Sequence, residues 1–128
     1  MLISRLMTYG VRTICSHDTL QTAANVMERG GFRRVPVVDG GKLVGILSDR
    51  DIRAHSRYLT RVTAAMTPDP KTVTPEMSVE DAARLMIKHK IGGLPVVEGG
   101  KLVGIITATD VLKAFLDVEA ATQTFADD

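Results

Sequence analysis

Hydrophobic and polar positions along this chain follow one pattern, and the pattern is written twice. Apolar residues fall at Leu20, Ala23, Ala24 and Met27, and again at Val79, Ala82, Ala83 and Met86. Their i, i+3, i+4, i+7 spacing predicts two amphipathic helices, each with one buried face. Thr19 and Ser78 stand before these runs as N-caps, and Ser78-Val79-Glu80-Asp81 reads as an imperfect capping box with Asp in place of Glu. Two alanines in each helix imply close approach to a sheet or to the sister helix. Ahead of each helix lies a short β-prone run, Arg12-Thr13-Ile14-Cys15 and Lys71-Thr72-Val73-Thr74. Cys15, on the first of these strands, reads as a small core residue.

After each helix the alternation gives way to nearly continuous apolar runs. Val35 to Val38 and Leu43 to Leu47 flank Asp39-Gly40-Gly41-Lys42; the later copy turns through Glu98-Gly99-Gly100-Lys101. Each is a hairpin with a glycine turn suited to positive φ, and its strands should be buried on both faces. Pro36 and Pro95 fall at the strand starts, where a missing N–H is tolerable. A last helix begins near Asp51 and near Asp110, the latter carrying Val111, Leu112, Phe115 and Leu116. Met1 to Met7 predicts a short leading helix, Arg57 to Ala65 a link between copies, and Gln123 to Asp128 a loose tail.

The two copies are offset by 59 positions (94 − 35), without a gap from Met7/Met66 through Ile52/Val111, and 17 of those 46 pairs are identical. A repeat of that period is one structural unit made twice, packed about a pseudo-twofold axis. The expected fold is α/β (α+β): two tandem β-α-β-β-α repeats in one compact module. Repeat 1 with its leader occupies 1–57, and repeat 2 with its tail 58–128. A ligand should then sit in related places on both units or at their seam. Starting at Met1 and ending after a complete second repeat, the chain reads as a full protein.

Composition narrows the function. A net charge of +1 with acids and bases interspersed gives no footprint for nucleic acid or an anionic membrane. One cysteine allows no internal disulfide, and no apolar run approaches transmembrane length. The plain expectation is a soluble cytoplasmic protein. His17, His55 and His89 are scattered without metal-ligand spacing, and no nucleophile and base stand in register, so neither metal site nor enzyme is expected. Gly40-Gly41-Lys42 and Gly99-Gly100-Lys101 lack the spacing of a phosphate loop and are hairpin turns.

Chemistry is suggested where each hairpin runs out. Gly45-Ile46-Leu47-Ser48-Asp49-Arg50-Asp51 aligns with Gly104-Ile105-Ile106-Thr107-Ala108-Thr109-Asp110. A strand feeding a helix through a hydroxyl residue offers free amides and a favourable dipole for an anion such as phosphate. An Asp a few residues on can accept paired hydrogen bonds from a ribose diol. The same residues equally serve as helix caps, with Asp51 and Asp110 complementing the first turn.

The doubled hydrophobic-Pro-Val-Val hairpin, with its Gly-x-x-[Ser/Thr]-x-x-Asp ending, resembles a tandem pair of CBS (cystathionine-β-synthase) domains from about Met7 to Leu116. The resemblance implies two clefts between the units, which bind AMP, ADP, ATP or S-adenosylmethionine as regulatory ligands without catalysis. It implies one cleft made of Thr107, Thr109 and Asp110 with Thr13, Phe32, Arg33, Arg34 and Pro36. The other combines Ser48, Arg50 and Asp51 with Thr72, Ile91, Gly92, Gly93 and Pro95. Asp would hold the ribose, the hydroxyls a phosphate, and the backbone before Pro the adenine edge. Because Arg33-Arg34 is replaced by Gly92-Gly93, the Asp110 cleft should prefer more phosphates. The Asp51 cleft, with Arg50 as its cation, should offer a flat base a glycine floor. The family further implies a homodimer through exposed last helices, including Phe115 and Leu116, and a separate protein partner. The alternative is a dimerisation scaffold whose clefts stay empty.

Overall fold

The computed structural model describes residues 1–116, and the tail expected from Gln123 lies outside them. A 3-10 turn, Ile3–Arg5, opens the chain. Then come β1 (Thr8–Tyr9), α1 (Leu20–Gly30), β2 (Arg34–Asp39), β3 (Lys42–Ser48) and α2 (Asp49–Arg53). The order returns as α3 (Val62–Ala65), β4 (Thr67–Pro68), α4 (Val79–His89), β5 (Gly93–Glu98) and β6 (Lys101–Thr107). A last helix, α5, covers 108–116.

Local chemistry accounts for most boundaries. The hydroxyl of Thr19 accepts the amide of Thr22, and that of Ser78 accepts the amide of Asp81. Only this half of the capping box forms at Ser78, because the Asp81 carboxylate takes Arg84 instead, at 3.0 Å. α1 stops at Gly31 and α4 at Lys90, matched positions that both turn left-handed, with φ of 69° and 53°. The hairpin turns place Gly40 and Gly41 at φ 54° and 79°, which matches the twist of the flanking strands.

Four local expectations give way to tertiary context. The leader is a 3-10 turn rather than a helix, tied to the second repeat by the amides of Ile3 and Ser4, which donate to the carbonyls of Met77 and Pro75. The runs at 12–15 and 71–74 each make a single parallel bridge, Ile14 to Val37 and Val73 to Val96. Pro36 and Pro95 sit third in their strands, not first; the bridge calls on the Pro36 carbonyl and the Val38 amide, never on the missing N–H. Cys15 is exposed rather than packed. Its neighbour Ile14 turns inward, so the next side chain of the extended segment faces out.

Each repeat completes itself with a piece of the other. The sheets run β1-β6-β5 and β2-β3-β4, all antiparallel, so each hairpin gains its third strand from the leader of the opposite repeat. Ile3 and Met7 are buried with Val73, Ala82, Leu94, Val96 and Ile106 of the second repeat. The expected link does the reciprocal thing: Val62 is buried with Ile14, Leu20, Ala23, Val35, Val37 and Leu47 of the first. Glycine permits the closure. A Cβ on Gly104 would lie 2.5 Å from the Thr8 carbonyl oxygen, and one on Gly45 would lie 3.0 Å from that of Thr67. Any side chain there would push the third strand away.

Ile3→Ala should therefore destabilise by about 2–5 kcal/mol, the usual range for truncating a fully buried Ile, read as a lowered urea midpoint. Although Ile3 opens the chain, lost hydrogen-exchange protection should concentrate in β5 and β6. Loss confined to β2 and β3 would contradict the exchange.

Candidate nucleotide-binding clefts

Both strand-to-helix junctions are built as caps. Ser48 accepts the amide of Asp51 at 3.1 Å, while Asp51 Oδ2 accepts the Ser48 amide at 2.8 Å. Thr107 and Asp110 repeat this, and Asp110 Oδ2 also accepts the Thr107 hydroxyl at 3.0 Å. The cap orients each Asp through one oxygen. Oδ1 of both carboxylates takes part in none of these bonds and is left for a further donor.

One of the two expected groupings encloses a cavity. About 620 Å³ is lined by Phe32, Arg33, Arg34, Pro36, Thr107, Thr109 and Asp110, together with Thr8, Gly10, Val11, Arg12, Gly31 and Ile105. Thr13 is not on that surface; it is exposed beside it. The wall nobody would draw from the motifs is the crossing segment 8–12. It leaves β6 of one repeat and reaches the first repeat at Ile14, turning through Gly10 at φ 60°. Asp69 occupies the matched turn in the second copy, also left-handed at φ 45°. Arg12 is thereby a site residue that the motifs missed. Its signal was available: Arg12 and Lys71 are a matched basic pair at the same offset.

Packing fixes the cavity's side chains. The Phe32 ring lies directly on the bare Cα of Gly30, so a side chain at 30 would displace it. The Arg33 carbonyl accepts the Asp49 amide at 2.8 Å, which pins the backbone carrying both arginines. Arg12, Arg33 and Arg34 face this space with one carboxylate, Asp110; among the described residues none of the three lies within ion-pair distance of an acid. Such a lining suits an anion that also carries a diol or hydroxyl for Asp110.

Besides the Ile14 bridge, a polar clamp holds segment 12–16 beside β2. Buried Ser16 donates its amide to Asp39 Oδ1 at 2.9 Å and its hydroxyl to Oδ2. The hydroxyl bond, then the amide bond, hold the Asp39 carboxyl below its ordinary value of 3.8, with His17 adding a smaller pull. In the second repeat Pro75 replaces Ser16, so Glu98 has no such clamp.

The second grouping departs from expectation. Ser48 and Asp51 form their cap, Arg50 and Thr72 are exposed, Ile91 and Gly92 are half-buried, and Pro95 is buried. The glycine floor is not open, however. Arg34 lies on it: a Cβ on Gly93 would be 2.6 Å from Arg34 Cδ, and one on Gly92 would be 3.0 Å from its Cζ. The arginine pair and the glycine pair are two sides of one contact, not independent properties of two clefts.

Paired β-α-β-β-α units with exchanged leaders and an inter-repeat cleft define a tandem-repeat module of one class. The chain belongs to the CBS domain family: the family model, described as CBS domain, matches residues 3–58 and 62–117. It is 36% identical over 120 residues to the CBS domain-containing protein YhcV of Bacillus subtilis (strain 168), covering 90% of this chain and 86% of that one. It is 40% identical over 102 residues, 79% of its length, to an inosine-5'-monophosphate dehydrogenase of Korarchaeum cryptofilum (strain OPF8), but spans only 21% of that enzyme. Among solved structures, the CBS domain pair of protein MJ0100, in complex with 5'-methylthioadenosine and S-adenosyl-L-methionine, superposes with a TM-score of 0.85. It is 30% identical, covering 90% of this chain and 95% of that one. CBSX2 in complex with AMP gives 0.82 at 30% identity, covering 92% and 98%. No helix among the described residues is long and apolar enough to cross a membrane.

The Ser16–Asp39 clamp has a pH signature. Because Asp39 is depressed in the folded state, the clamp contributes stability above the ordinary carboxylate range. It is lost as pH falls through the folded value. The stability gap between wild type and Ser16→Ala should be full above the ordinary carboxylate range and narrow as pH falls below it. Urea midpoints of both proteins across that range provide the check, and a constant gap would contradict it.

Proposed function

We propose that this chain is a regulatory module that senses an adenosyl ligand in its inter-repeat clefts and signals to a separate protein partner. The observation that carries it is the convergence of Arg12, Arg33 and Arg34 on a 620 Å³ space. Thr107, Thr109 and the oriented Asp110 complete that space. AMP, ADP, ATP and S-adenosylmethionine all fit that chemistry, and the relatives above with bound AMP, 5'-methylthioadenosine and S-adenosylmethionine support it.

In this reading Asp110 Oδ1 accepts from the ribose diol, Thr109 donates to a phosphate, Thr107 does so by turning its hydroxyl from Asp110 Oδ2, and the backbone before Pro36 meets the adenine edge. Phosphates lie toward the guanidiniums, whose charge-assisted bonds favour ligands with more of them. The Asp51 cleft takes its ligand with Ser48, Arg50, Asp51, Thr72, Ile91, Gly92, Gly93 and Pro95. Binding at the seam would shift a population of module geometries, limited by the ligand's differential affinity. Exposed Leu112, Phe115 and Leu116 on α5, with Ile87 on α4, suit a homodimer face. The module acts in the cytoplasm and is not itself an enzyme.

The scaffold alternative draws support from the caps, which occupy Ser48, Asp51, Thr107 and Asp110 without any ligand. Thermal melts separate the two readings. Melts run against AMP, ADP, ATP, S-adenosylmethionine and NAD, with GTP as control, should show stabilisation by at least one adenosyl ligand. Saturation at a hundred times Kd is worth about 2.7 kcal/mol, and Asp110→Ala should remove the shift while the protein stays folded. No shift with any of them, on ligand-free folded protein, favours the scaffold.

A further inference from the structure

We propose that Arg34 decides when the Asp51 cleft accepts a ligand, lying across its floor until an anionic ligand in the Asp110 cleft draws it away. This rests on the nucleotide reading above and turns two sites into two dependent ones.

Positions 34 and 93 are symmetry mates at the starts of β2 and β5, opposite Ser48 and Thr107. Across the pseudo-twofold axis there is room for one large side chain, not two. The three atoms nearest a Cβ on Gly92 all belong to Arg34. At Gly93 the nearest are Arg34 Cδ at 2.6 Å and Nε at 3.2 Å; the next, Ile105 Cδ1, is 3.9 Å away, an ordinary contact. Neither glycine has a positive φ, so backbone conformation does not require them. Arg34 does.

The same side chain lines the cavity with Asp110 and Thr107, so its guanidinium stands at the boundary of both clefts. Arg34 is half-buried and, among the described residues, has no carboxylate within ion-pair distance. A peptide floor offers a guanidinium weak polar contact, whereas a phosphate offers charge-assisted, bidentate hydrogen bonds. A polyphosphate in the Asp110 cleft therefore recruits Arg34 and bares Gly92-Gly93, where a flat ring can approach the backbone. An uncharged adenosyl ligand provides no such pull. The order is fixed by chemistry: anionic ligand first, uncharged ligand second, each strengthening the other by linkage.

Equilibrium dialysis of the full chain against adenosine, an uncharged probe, tests this. Wild type should hold one adenosine, Arg34→Ala two, and Arg34→Ala with Asp51→Ala one again. With ATP saturating the Asp110 cleft, wild type should bind adenosine in the Asp51 cleft. If Arg34→Ala holds no more adenosine than wild type, or wild type already holds two, the gate is overturned. A ligand-free arm tests the seat itself. Gly93→Ala should lower the melting temperature in wild type and be harmless beside Arg34→Ala. Equal losses in both backgrounds overturn the seat. Failure of every variant to bind adenosine or ATP removes the nucleotide reading and the gate with it, while the stability arm still shows whether Arg34 occupies the floor.

Discussion

Exchange of the leading segments is the constraint on which the rest of this molecule depends. A helix and a two-stranded hairpin, which is what each repeat makes alone, form a marginal unit. Ile3 and Val62 each enter the core of the other repeat, and β1 and β4 each add the third strand to the other sheet. Burial of these apolar side chains is the driving force. The matched glycines, Gly45 and Gly104, let the third strand approach closely enough to collect it. The two halves are covalently consecutive but energetically interlocked.

The site is a by-product of that exchange. A leader that must close one repeat and then begin another has to cross the seam, and the crossing segment 8–12 becomes a cavity wall carrying Arg12. The clamp between Ser16 and Asp39 holds the far end of the crossing in place. Asp110 is oriented by its own helix cap, which engages one carboxylate oxygen and leaves the other outside the cap. A side chain held in this way has already given up much of its rotamer freedom.

Symmetry is broken again at the axis itself, beyond the clamp that only the first repeat has. Where the axis brings positions 34 and 93 together, two copies of one large residue would collide. Arginine on one side and glycine on the other resolve the conflict. Read as a string, Arg33-Arg34 and Gly92-Gly93 look like separate adaptations of two clefts. In three dimensions the glycine pair is the space the arginine fills.

Much of this was written locally. Helix faces from Leu20 to Met27 and Val79 to Met86, their caps at Thr19 and Ser78, and the glycine hairpins follow from periodicity and turn chemistry. These depend on residues within a few positions of each other. The repeat itself located Ser48-Asp51 and Thr107-Asp110. What the string could not carry was which half each leader packs against, since Ile3 is equally apolar toward either core. For the same reason it hid the outward turn of Cys15, the role of Arg12, and the destination of the Arg34 side chain. The sequence by itself determined the units and their caps, because those energies are local. Only the tertiary structure decided how the units complete one another and where the cleft lies, because contacts between residues distant in the sequence, such as Thr8 with Ile105, are settled by packing.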